Sequence, residues 1–158
     1  MNTPEQRRAY IETIATFPDV LEALVTPLTE EQLHTHFLAH EWTVAQNVHH
    51  LADSHMNSFI RFKLLLTEDN PTIKPYDQDA WAVTPDYQPP IATSLGILRG
   101  LHARWAALLN HLGETDWARR GTHPASGVIT IDSLLKSYHD HCLAHIDQIT
   151  RTLAAQGA

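Results

Sequence analysis

Apolar residues recur along this chain at the three- and four-residue intervals of amphipathic helices, and no stretch alternates apolar with polar residues long enough to predict a strand. The first helical segment opens at Thr3-Pro4-Glu5, a threonine cap with proline in the first turn, and runs through Ile11 and Ile14. Pro18 is expected to break or kink it before a second apolar stretch at 20–25. Thr29-Glu-Glu-Gln predicts one more short turn. A long helix follows over about 43–66, capped by Thr43, with Val44, Val48, Leu51, His55, Phe59, Phe62 and Leu66 on its principal stripe and Asn70-Pro71 beyond its end. Ile91, Leu95, Leu98, His102, Trp105, Leu109 and Leu112 make the seam of a third helix, closed by Gly113. A fourth, over about 132–155, carries Leu134, Tyr138, His141, His145, Ile149 and Thr152 on one face. Four long helices, each with one stripe to bury, predict an all-α four-helix bundle with long irregular connections, a single domain over residues 1–158.

The connection at 70–90 holds five prolines with Tyr76, Trp81 and Tyr87 and has no sustained period. A loop of that length in a small domain is usually functional, and Tyr76 and Trp81 are candidates to line a lid. A second connection contains Thr122-His-Pro-Ala-Ser-Gly. At 43% hydrophobic and 18% charged, the composition is that of a globular protein with no membrane-spanning run. A net charge of −7 without a basic cluster argues against nucleic acid and anionic membranes as partners. The single cysteine, Cys142, excludes an internal disulfide, and with no hydrophobic segment near residue 1 this predicts a cytoplasmic setting. A chain of this size buries a core without a metal, so any metal site is expected to serve function.

Chemistry enters with the twelve histidines. His141 and His145 are four residues apart on the core stripe of the last helix, about 40° past a full turn, and so make a two-toothed clamp for one ion. A third ligand is expected from another long helix facing the same core. The second helix offers His49, beside Ala45, Ala52 and Met56; His55, on the Leu51 and Phe59 stripe; and His50, which shares a polar stripe with Asn47, Ser54, Asn57 and Arg61. A polar stripe suits the wall of a wet pocket and favours His50, without excluding the other two. His102 reads as a core histidine with one hydrogen bond. His36 and His40 repeat the four-residue spacing where no long helix is predicted, so that spacing has no geometric force. Glu31-x-x-His34 has no second such pair, which argues against a di-iron site. Cys142 is turned about 100° from His141 and reads as a small buried side chain.

The run Trp42-Thr-Val-Ala-Gln-Asn-Val-His-His-Leu-Ala-Asp-Ser-His-Met-Asn-Ser-Phe-Ile-Arg-Phe-Lys, its continuation through Thr67-Glu-Asp-Asn-Pro-Thr-Ile-Lys-Pro-Tyr-Asp, then Leu101-His-Ala-Arg-Trp, His123-Pro and His141-Cys-Leu-Ala-His-Ile together resemble the YfiT branch of the DinB superfamily. The resemblance spans most of the chain from Trp42 onward. It implies a four-helix bundle, usually a homodimer, with zinc or nickel on three histidines, which match His50, His141 and His145 here. Departures are Leu38-Ala-His-Glu41, where relatives tend to have glycines, a shorter amino terminus, and Cys142 in place of a histidine. The first two are expected to affect the pocket rim or a subunit contact.

Three neutral imidazoles leave a divalent ion its full charge and an open position, the arrangement of catalytic sites. Such an ion brings the pKa of a bound water to about 7 and deprotonates a bound thiol. The expected function is a metal-dependent hydrolase that activates water on a small-molecule substrate. The alternative is an S-transferase for a low-molecular-weight thiol, a use the resemblance also implies, and the third reading is a non-catalytic bundle binding a metal or small ligand. No general base is assigned. Asp53, one turn from His50, is a candidate to orient an imidazole, and Arg61 and His123 are candidates to meet an anionic group.

Overall fold

Four threonines set where helices begin. In the computed structural model, which describes residues 1–156, Thr3, Thr29, Thr43 and Thr130 each accept a hydrogen bond from the backbone N–H three residues on, and the side chain there bonds back to the threonine N–H. These reciprocal caps satisfy amide groups that a helix start leaves unpaired. They open α1 (Pro4–Val25), the short α2 (Glu30–His34), α3 (Val44–Thr67) and α6 (Ile131–Ala154). Between α3 and α6 lie α4 (Gln78–Trp81), a 3-10 turn at Pro85–Tyr87, α5 (Ala92–Asn110), a second 3-10 turn at Asp116–Ala118, and strands β1 (Arg120–His123) and β2 (Gly127–Thr130).

The long helices α1, α3, α5 and α6 form the predicted bundle. Around its axis they run α1, α5, α3, α6, since α1 and α3 each pack on both α5 and α6. Two of the three pairs consecutive in sequence, α1 with α3 and α5 with α6, therefore occupy diagonal corners, while α3 and α5 are neighbours. Ile14, Leu21, Val48, Leu51, Phe62, Leu65, Leu98, Trp105, Leu135 and Ile149 fill the core between them. The stripe of α3 reaches the core through Leu65, and Leu66 is only partly buried. No helix among the described residues is long and apolar enough to cross a membrane.

Two local expectations are corrected. Pro18 does not break α1, which continues to Val25 with Pro18 buried inside it. An interior proline removes the N–H that would bond the carbonyl four residues back. Here that carbonyl, Ile14 O, takes its hydrogen bond from His102 Nδ1 on α5 at 2.5 Å. The second correction is a two-stranded antiparallel sheet in the connection before α6, with Arg120 opposite Thr130 and His123 opposite Gly127. Four-residue strands are too short to show a period; the available signal was the β-branched run Val128-Ile-Thr after Gly127, which turns the chain at φ 72°. The sheet sits on the end of α3, with Thr122 N–H donating to Pro71 O and Ile73 N–H to Thr122 O. Gly121 allows this approach: a Cβ there would lie 2.7 Å from Pro71 O.

One buried ion pair ties the start of α1 to the start of α6. Arg7 Nε donates to Asp132 Oδ1 at 2.7 Å, with the two side chains 6% and 5% exposed, and the guanidinium lies over the Trp117 ring. Asp132 Oδ2 also accepts from Asn2 N–H. A buried pair is costly to break and cheap to replace whole. Asp132→Ala is expected to lower stability by about 3–5 kcal/mol. Arg7→Met combined with Asp132→Ala is expected to cost less than the single change, as read by urea unfolding.

Candidate metal centre

The clamp predicted on the last helix and the polar stripe predicted on the second meet. His50 on α3 and His141 and His145 on α6 each place a ring nitrogen so that all three lie within 4.8 Å of one another. Ring centroids are 4.4 Å apart for His141 and His145, 5.0 Å for His50 and His145, and 5.6 Å for His50 and His141. The Trp42 ring lies 4.6 Å from His50 and closes one side. No other group of three or more potential ligand side chains this close occurs among the described residues.

Two of the three rings are held from behind. His145 Nδ1–H donates to Asn47 Oδ1 at 2.8 Å, and Asn47 Nδ2 in turn donates to Thr43 O, which fixes the orientation of the amide. His141 Nδ1 lies 3.1 Å from His55 Nε2. Both rings are thereby left with Nε2 unclaimed by protein. His50 Nδ1 is buried with no hydrogen-bond partner, an arrangement that costs free energy unless something else fills the role. Burial holds His50 and His145 down to a pKa of about 4 and keeps His141 well below its ordinary value, with charge repulsion from neighbouring rings adding to the effect at His50 and His141. All three are neutral at pH 7 and have a lone pair to offer. The donor set fits a divalent metal ion.

Two cavities open on the cluster. One of about 440 Å³ is lined by His40, Glu41, Trp42, Gln78, Asp79, His141, His145 and Gln148. Glu41 binds Arg151 through Oε1, while its Oε2 is buried and unpartnered. Of residues 38–41, His40 and Glu41 thus lie on the rim, and His40, set aside for lack of a helix, reaches it from a connector at φ 64°. Its spacing partner His36 bonds Glu41 O instead. The 70–90 segment touches this cavity through Gln78 and Asp79, while Tyr76 and Trp81 pack on each other with centroids 4.4 Å apart.

The second cavity, about 340 Å³, contains Arg61, His123, Ser137, Tyr138 and His141 among its walls. Two of the three residues expected to assist are therefore together there. His123 Nδ1 accepts from the amides of Ala125 and Ser126, so its proton is on Nε2. Asp53 is elsewhere. It accepts from Tyr87 O–H at 2.8 Å in a cavity with His49 and makes no hydrogen bond to His50, because its place on α3 faces the 3-10 turn at Pro85–Tyr87. His49 bonds Ser94 and Pro89 O, and Cys142 is fully buried, its thiol pKa pushed up by burial. Sequence reasoning missed Gln148 and the backing role of Asn47; the latter was visible only as a polar residue on the stripe of His50.

Comparison with known proteins accords with this geometry. The sequence matches the model of the DinB superfamily over residues 13–149. It is 46% identical over 141 residues to a protein of Oceanobacillus iheyensis named "Putative metal-dependent hydrolase", covering 89% of this chain and 82% of that one. A Bacillus pumilus protein of the same name is 39% identical over 153 residues, covering 94% and 87%. Among solved structures, YfiT from Bacillus subtilis, described as "a probable metal-dependent hydrolase with an unusual four-helix bundle topology", superposes with a TM-score of 0.95 at 41% identity over 99% of this chain and 91% of that chain.

So many buried neutral imidazoles give stability a definite pH dependence. His50, His102 and His145 ionise near 6.5 when unfolded and near 4 when folded. Between those values the unfolded chain binds more protons, so stability falls as pH drops from 6.5 toward 4. The slope is up to about 1.4 kcal/mol per pH unit for each such histidine. Urea unfolding of metal-free protein across that window measures it, and a flat profile would contradict the account.

Proposed function

The chain belongs to the DinB superfamily, and from that premise we propose a divalent-metal-dependent hydrolase whose zinc or nickel ion is held by His50, His141 and His145. The observation that carries the reading is the set of three neutral imidazoles, each with a nitrogen claimed by no protein group, meeting where two cavities open. The names of the relatives support the same reaction class. When bound, such an ion supplies Lewis-acid polarisation and an acidified water.

The chain's own residues set the surroundings. Asn47 and His55 hold His145 and His141 in place, and Trp42 shields His50 from bulk water. Glu41, tied to Arg151 through Oε1, adds a carboxylate to the wall of the first cavity. Arg61 and the Nε2–H of His123 orient an anionic group of a small-molecule substrate in the second cavity.

A second reading, S-transfer from a low-molecular-weight thiol, is favoured by one feature. His141 lines both cavities, so two substrates have separate approaches to one centre, whereas water needs no cavity of its own.

Purified protein is expected to bind one divalent ion per chain, and His141→Ala with His145→Ala to abolish it while helical circular dichroism persists. Undiminished metal in that double variant would sink the ligand set. Metal-loaded protein is to be assayed on a panel of esters and amides, and separately on a chlorinated aromatic with a small thiol. Turnover without thiol supports the hydrolase. Thiol-dependent turnover replaces it with the transferase, and silence in both assays leaves a metal-binding bundle.

A further inference from the structure

Two more imidazoles, His55 and His102, are fully buried beside the candidate metal centre and belong to neither cavity. They form a line that ends on it. Ile14 O lies 2.5 Å from His102 Nδ1, His102 Nε2 lies 2.7 Å from His55 Nδ1, and His55 Nε2 lies 3.1 Å from His141 Nδ1. Phe17 and Trp105 pack against both His55 and His102, and Tyr138 against His55, so the line runs through apolar and aromatic surroundings.

A neutral imidazole has one N–H and one lone pair, so in a line of such rings the direction of any one hydrogen bond fixes all the others. The Ile14 carbonyl settles it. It can only accept, and it is free to accept from His102 because residue 18 is proline and has no N–H to give. His102 therefore has its proton on Nδ1, and its Nε2 accepts from His55 Nδ1–H. The Nε2 of His55 in turn accepts from His141 Nδ1–H. His141 is left with a bare Nε2, the nitrogen it can offer to the cluster with His50 and His145.

We propose that His55 and His102 are positioning residues: a histidine relay, anchored on the carbonyl that Pro18 frees in α1, locks His141 as its Nδ1–H tautomer and presents its Nε2 lone pair before any metal arrives. The proposal rests on the metal reading of the preceding subsection. Partners behind a ligating histidine fix its tautomer and ring angle and raise its basicity. Here the partner is not the usual carboxylate or single carbonyl but two further histidines in series, so the polarity of the site is set on α1, a helix that supplies none of the three rings. Simple packing of two core histidines would leave their tautomers undetermined.

The direct test is imidazole 15N NMR of the metal-free, histidine-labelled protein at neutral pH. His102, His55 and His141 are all expected to be protonated on Nδ1 with Nε2 bare; a proton on Nε2 of any of them overturns the relay. Zinc affinity by chelator competition gives an independent readout. His55→Phe, which fills the space and cannot accept from His141, is expected to weaken zinc binding about 10–100-fold. His55→Gln, which can accept from His141 and donate to His102, is expected to restore most of that loss. Affinity unchanged in His55→Phe, or equally weak in both variants, overturns the proposal. Failure of the unaltered protein to take up zinc would instead defeat the metal reading, and the tautomer measurement decides the relay separately.

Discussion

A buried imidazole has one proton to place and two nitrogens to satisfy, and this bundle is organised around solving that problem repeatedly. His102, His55 and His145 are all sequestered in the core, and with His141 each has its Nδ1 on a hydrogen-bond partner. Two of the partner chains end on main-chain carbonyls, Ile14 O on α1 and Thr43 O at the cap of α3. A main-chain carbonyl accepts without carrying a charge, and it does not titrate. Anchoring the rings this way keeps them neutral where a carboxylate would have favoured the imidazolium form. Neutral rings are what a metal ion requires and what a low-dielectric core tolerates.

Much of this was legible in the sequence, for identifiable reasons. The long helices were, because each buries one stripe, and α1 and α3 also mark their start with a threonine. The His141 and His145 clamp was, because four-residue spacing on a helix has a single geometric meaning. His50 could be preferred over His49 and His55 only through the polarity of its stripe and the family resemblance. The His55 and His102 line was not legible, since it depends on how α3 and α5 rotate against each other and on an interior proline whose effect appears in a neighbouring helix. The hairpin escaped because two strands of four residues are held by contacts with the end of α3, a tertiary cause without a local period. Asp53 misled because helical proximity to His50 says nothing of the Tyr87 hydroxyl arriving from the 70–90 segment.

The irregular connections complete what the helices begin. The segment before α3 brings Glu41 and Trp42 to one side of the three rings, α4 adds Gln78 and Asp79, and the hairpin before α6 brings His123 to the other side. The cluster itself is built on rigid helices, where ring positions are set by core packing. Its rim is built on connectors, where exchange of residues alters shape and charge without disturbing the rings. His40 and Glu41 fall on the rim side of that division.

The diagonal placement of α1 and α3 has a consequence for how the chain is made. A ribosome releases Pro4–Val25 and then Val44–Thr67, two helices whose apolar stripes are addressed to α5 and α6 rather than to each other. Until α5 emerges, the nascent amino-terminal half displays both stripes without the helices on which they mainly pack. The carbonyl of Ile14 is likewise without its histidine. The four-helix core therefore closes only once the second half of the chain is made, and in that interval the two apolar stripes stay open to water.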